Sequence, residues 1–222
     1  MRAPRRSRAA ALTAVPGLVL VLVLTACGGT AGDAAATGAA PSAAGPAETT
    51  ATATPAAEGP IGAGCDVLPA EGPGSLPALA TTPAGTAVST NPQLTTLAQA
   101  VLAANLVDVV NTRADITVLA PTNAAFDALG ADAVPALIAD VPRLTTVLTH
   151  HVLSGRLAPE ELAGEHRTLQ GDTVTVTGSG GSFGVAADQT LAGVAPATVV
   201  CGNVPTANAT VYLVDQVLAP AG

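Results

Sequence analysis

Hydrophobic and polar positions divide the chain into three unlike stretches. Residues 9–26 are almost wholly apolar and contain Leu18-Val19-Leu20-Val21-Leu22-Val23-Leu24. Residues 27–64 are dominated by alanine, glycine, threonine, proline and serine, with Ile61 the only large aliphatic. Beyond them apolar residues recur first at helical and then at strand periods. Pro92 opens a helix on which Leu94, Leu97, Ala98, Val101 and Leu102 share a face at three-four spacing. Residues 106–110 read as a further short helical piece. Residues 116–120 form an apolar, β-branched run that stops at Pro121, a strand delivered into a buried sheet. Thr122 and Asn123 follow, then small helix formers leading to Phe126 and Leu129. Asn123 is the candidate N-cap of that helix, its side-chain oxygen accepting from an orphan N–H.

The same pattern predicts helices over 123–129, 132–139 and 142–149, the last turning Leu144, Val147 and Leu148 inward. A strand starts over 151–153 and turns at Ser154-Gly155. Residues 159–162 form a short helix with acids in its first turn, where the dipole favours them. Residues 173–177 alternate threonine and valine, placing Val174 and Val176 on one face of a half-buried strand. A hairpin at 178–182 returns through 183–186, and strands over 197–200 and 211–217 finish the sheet. Early helices and late strands indicate an α+β fold with a mainly antiparallel sheet. No internal repeat is present, so the organisation is one module.

Composition sharpens this picture. The chain is 49% hydrophobic but only 1% aromatic. Alanine, valine and leucine must therefore build the core, with Phe126, Phe183 and Tyr212 as its large rings. There is no lysine, and four of the eight arginines lie in the first eight residues. From Cys27 onward, four arginines face all 16 acidic residues, a formal balance of −12. That balance repels phosphate backbones, and the scarcity of rings removes stacking platforms, so nucleic acid is excluded as a partner.

The basic start, the apolar run and the ending Leu24-Thr25-Ala26-Cys27 read as a lipoprotein signal peptide over residues 1–26. Cys27 is then the lipidated residue, mooring the chain to the outer face of the cell membrane. Residues 27–64 read as a disordered tether, because they bury too little apolar surface to offset ordering entropy. Thr49, Thr50, Thr52 and Thr54 lie in a Thr/Pro-rich stalk that is either O-glycosylated or a bare linker. Residues 65–80 form a lead-in, and 81–219 the folded domain. With Cys27 lipidated, Cys65 and Cys201 remain, an even pair in an oxidising compartment.

Candidate chemistry is sparse. Gly180-Gly181-Ser182-Phe183-Gly184 matches a nucleophile elbow in letters, but it sits between two β-runs and no histidine follows it. No catalytic residue is assigned. His150-His151, read as strand residues, point to opposite faces and cannot share a metal; one is expected buried and hydrogen-bonded, the other solvated. His166 with Arg167 is placed on an exposed turn. Asp215 is either a surface position or half-buried and paired with an arginine. Asn208-Ala209-Thr210 fits a glycosylation sequon but reads as turn chemistry. No metal or cofactor is expected, since the cysteines and histidines lack tight ligand spacing.

The run 117–126, with Thr122, Asn123 and Phe126, resembles the first signature motif of the fasciclin-type domain. The segment 91–97 resembles that domain's opening helix, 148–153 stands where the family carries a Tyr-His motif, and 210–218, with Asp215, resembles its closing motif. Here His150 replaces the tyrosine. The resemblance covers roughly residues 78–220 and extends to single-domain mycobacterial surface lipoproteins and secreted antigens. It implies a β-wedge of two sheets flanked by several α-helices, a Cys65–Cys201 disulfide, and a structural role for Thr122, Asn123 and Asp215. It also makes His150 and His151 a possible adhesion motif. The expected function is a lipid-anchored, monomeric module that binds an unidentified surface or matrix macromolecule. The alternative is an extracytoplasmic carrier or sensor of a small hydrophobic ligand.

Overall fold

The computed structural model describes residues 59–72 and 74–221. The expected signal peptide, Cys27 and the stalk threonines lie outside the described residues. Eight α-helices are described, besides three short 3-10 turns: α1 (Leu76–Ala80), α2 (Ala84–Thr90), α3 (Thr95–Ala103), α4 (Val107–Thr112), α5 (Asn123–Asp127), α6 (Ala133–Ala139), α7 (Val141–His150) and α8 (Pro159–Leu162). Seven strands accompany them: β1 (Ile116–Pro121), β2 (Val152–Ser154), β3 (Gly164–Arg167), β4 (Thr173–Ser179), β5 (Ser182–Val185), β6 (Ala197–Pro205) and β7 (Ala209–Val214). Prolines stand in the first turns of α1, α7 and α8, where a missing N–H costs nothing. α3 ends in a Schellman arrangement: Leu106 N donates to Val101 O, Asn105 N to Leu102 O, and Asn105 takes the left-handed φ of 54°.

The strands follow the order β2-β1-β7-β6-β5-β4-β3. Only β1 and β7 run parallel; the other neighbours are antiparallel. β6 pairs with β7 on one side and with the end of β5 on the other, and its ladder shifts register on both sides of Cys201. Those irregularities bend the sheet into two splayed halves, the expected wedge. A bridge between Leu153 and Thr168 links the opposite ends of the strand order, so the sheet nearly closes.

Alternation along β1 and β7 assigns the two cores. Val118, Ala120, Val211 and Leu213 face the helices and pack with Leu97, Phe126, Leu144 and Val147. Leu119 and Tyr212 face the inside of the wedge, with Leu153, Leu162, Val174, Val176 and Phe183. Tyr212 is fully buried, and its hydroxyl donates to Leu157 O at 3.0 Å.

Several expectations change. Leu102 is 59% exposed rather than part of the α3 stripe, because the last turn carries it past the face that Leu97 and Val101 present. Gly59 and Ile61, read as part of the tether, make contacts with β6. Ile61 exchanges two backbone hydrogen bonds with Gly202, and Asn203 Nδ2 donates to Gly59 O. α1 and α2 occupy residues read as lead-in or left unassigned. His166 lies on β3 rather than on a turn, half-buried, with Nε2 donating to Leu162 O at 2.9 Å. Cys65 and Cys201 are joined by a disulfide across 136 residues, fastening the lead-in to β6.

Candidate functional site

The residues singled out by sequence gather at three places. At the first, α7 continues one residue further than expected and ends on His150, with His151 as its C-cap. Neither histidine is on a strand, and both are buried, 1% and 2% exposed. The expectation of one solvated ring is therefore corrected. His151 Nδ1 donates to Val147 O at 2.8 Å, and Leu218 N donates to Nε2 at 2.9 Å. With both nitrogens engaged, the ring is neutral and has no lone pair left for a metal. Burial pushes its pKa down from 6.5 to about 4, against the bond to Val147 and aided by His150.

His150 Nδ1 meets Asp172 Oδ2 at 2.8 Å. Thr168 Oγ1 and Ala221 N also donate to that carboxylate. Partial burial works against the charge of Asp172, but the hydrogen bonds from Thr168 and His150 outweigh it and hold its pKa below the usual value. This corner pins α7, the loop before β4 and the C-terminal segment together. Both rings lie inside this corner rather than at the surface.

At the second place, β1 runs into α5. Thr122, not Asn123, is the N-cap: its Oγ1 accepts from Ala125 N at 3.4 Å. Asn123 reaches sideways instead. Its Oδ1 accepts from Thr96 N and Thr95 Oγ1, and its Nδ2 donates to Pro92 O, at 3.0–3.1 Å. The amide thus stitches the start of α3 to the start of α5. Asn123→Ala is expected to cost about 1–2 kcal/mol, since it removes three hydrogen bonds, one of them to the part-buried Thr96 N; urea denaturation of the variant checks it. Asn208 performs the same task elsewhere, and its role was not legible in the sequence. Its Oδ1 accepts from Ala84 N, and its Nδ2 donates to Val110 O and Arg113 O. Its side chain thus makes long-range bonds rather than the local ones of turn chemistry, and both amide protons are engaged. Asp215 accepts from Thr198 N and Thr198 Oγ1, so its partner is a threonine rather than an arginine.

At the third place, the hairpin between β4 and β5 carries Gly180-Gly181-Ser182-Phe183-Gly184. It leads from strand to strand, with Gly180 and Gly181 at φ of 59° and 93°. All three histidines make their hydrogen bonds elsewhere, to Asp172, Val147 and Leu162. Open concavities of about 620 and 770 Å³ flank this hairpin. The apolar crevice between the helices and β1–β2 holds only about 40 Å³, room for a water rather than a lipid.

Comparison with known proteins fits this geometry. The chain is 44% identical to the Mycobacterium bovis cell surface glycolipoprotein MPB83 over 183 residues, covering 79% of this chain and 78% of that one. It is 43% identical to the M. bovis immunogenic protein MPB70 over 179 residues, covering 77% and 88%. A solved FAS1 domain pair from the insect cell adhesion molecule Fasciclin I is 20% identical and covers 58% of this chain and 45% of its own, with a TM-score of 0.46. That overlap is too weak to support an argument by itself. The Fasciclin domain family model matches residues 92–220, which take in the β1–α5 junction, the His corner and the closing strand, and the chain belongs to the fasciclin domain family.

Proposed function

We propose that this protein is anchored by lipid at Cys27 to the outer face of the cell membrane and that its fasciclin domain binds another macromolecule outside the cell. The observation that carries the reading is the likeness, across 79% of the chain, to a protein named as a cell surface glycolipoprotein. Leu24-Thr25-Ala26-Cys27 supplies the chemistry of attachment. Acyl chains contribute about 0.8 kcal/mol per buried CH₂, and two of them hold a protein stably on a bilayer. The tether then sets the domain away from the membrane, and the stalk threonines Thr49, Thr50, Thr52 and Thr54 are its glycosylation sites. The domain acts as a monomer and as a binder rather than a catalyst, in keeping with histidines that make their hydrogen bonds away from Ser182. A cationic partner suits the formal charge of −12, in a salt-dependent way.

Cys27→Ser protein is expected in the culture fluid, and native protein in the membrane fraction with acyl mass on Cys27. Cells bearing the native protein are expected to attach to matrix proteins or neighbouring cells more than a deletion strain or Cys27→Ser cells. Equal attachment by all three strains would refute the binding role, and an unacylated Cys27 would refute the anchor.

A further inference from the structure

β5 and β6 pair through only Gly184–Thr198 and Val185–Ala197. β5 nevertheless stays paired with β4 as far as Ser179–Ser182. The ladder therefore ends while β5 continues, and β6 bends off at its register shifts. A seam opens between them. From the other end, the lead-in already uses this strand: Ile61 N donates to Gly202 O at 3.0 Å, and Gly202 N donates to Ile61 O at 2.7 Å. An extended segment can thus pair with β6 by backbone alone.

Between that segment and the β4–β5 hairpin lie the two open concavities, which share Gly178, Gly181 and Phe183. Their walls are rich in glycine, so main chain can approach main chain closely. The lead-in wall is fixed: a Cβ on Gly62 would lie 2.5 Å from Val200 O, and one on Gly64 2.9 Å. Among the described residues, the one ionisable side chain lining either concavity is Glu160 on α8, and no basic residue lines them. With Glu161 nearby, its field helps burial raise the Tyr212 pKa, so the charge is felt at this end of the wedge.

We infer that this seam binds an extended, basic peptide segment of a partner protein, added as a strand beside β5. Backbone hydrogen bonds supply affinity, the bare glycine walls admit the chain, and Glu160 selects a cationic side chain. The inference rests on the surface-binding reading and specifies where and what the domain binds.

The test titrates a fluorescein-labelled peptide of repeated Thr-Val-Arg-Val into the native, lipidated protein in detergent, with anisotropy as the readout. Saturable binding that weakens with salt is expected. Ala63→Trp plugs the wider concavity and Glu160→Arg reverses its neighbour's charge. Both positions are exposed, so the Tm should hold while affinity falls about tenfold for each. Equal binding by Ala63→Trp, or equal binding of a peptide with glutamate in place of arginine, overturns the proposal. So does concentration-dependent dimerisation abolished by Ala63→Trp, which would place a second copy in the seam. No peptide binding alongside intact cell attachment overturns the seam and leaves the surface role standing; peptide binding without attachment does the reverse.

Discussion

Replacing Cys65 and Cys201 together by serine is expected to lower the unfolding free energy by about 4 kcal/mol. The bond closes a loop across 136 residues, the span over which an unfolded chain loses most freedom to a single link. The chain-entropy treatment assigns such a loop about 5 kcal/mol, and losing a native bond typically costs about 2–5. Against a total stability of about 5–15 kcal/mol for a domain of this size, that is a large share. The folded state suffers too. The bond holds the 3-10 turn Ala63–Val67 against β6, where Gly62 and Gly64 lie close to Val200. Chemical denaturation of the double variant beside native protein measures the loss. A difference under about 1 kcal/mol would show that the lead-in is held by Ile61, Asn203 and packing alone.

Acidification is the second large effect, and His151 causes it. In the unfolded chain its imidazole takes a proton near pH 6.5, but in the fold burial delays this to about pH 4. The unfolded state therefore binds more protons between those values, and stability falls as pH drops through the window. The contribution is complete above about pH 6.5, is reduced by roughly 2 kcal/mol at pH 5, and levels off below about pH 4. Asp172 acts in the same direction lower down. Its depressed pKa stabilises the fold above the ordinary carboxylate range and is lost as pH falls toward its folded value. Urea midpoints at pH 7 and pH 5 test this. His151→Gln keeps an amide for Val147 and Leu218 but cannot titrate, so it should be less stable at pH 7 and nearly flat between the two.

The β1–α5 junction was legible because three local signals agree: an apolar run, a proline stop and a polar Thr-Asn pair before small helix formers. Val174 and Val176 were legible for the same reason, since alternation over a half-buried strand is unambiguous. The His corner was not. A run such as Thr149-His150-His151-Val152 suits the last turn of a helix as well as the first residues of a strand, and only the bonds to Asp172 and Leu218 decide. α2 was silent because Ala84, Gly85 and Ala87 give small contacts rather than a strong stripe; its end is tied by Asn208, more than a hundred residues away. β3 was silent because Gly164, Glu165, His166 and Arg167 are mostly exposed and carry no apolar alternation. Asn123 was assigned the wrong bond, since a capping residue and a residue bridging two helices look alike until the second helix is in place.

The parallel pairing of β1 with β7 bears on how the molecule comes into being. Residues 116–121 must wait for residues 209–214 before the middle of the sheet exists. A ribosome or export channel that has released only the first half of the domain therefore holds a chain with no finished sheet. Contacts so distant along the sequence make folding slow. A polypeptide threaded outward in extended form gains from that delay, because premature compaction would block its passage, and the same late partner that completes the architecture also ends the period in which it can still be threaded.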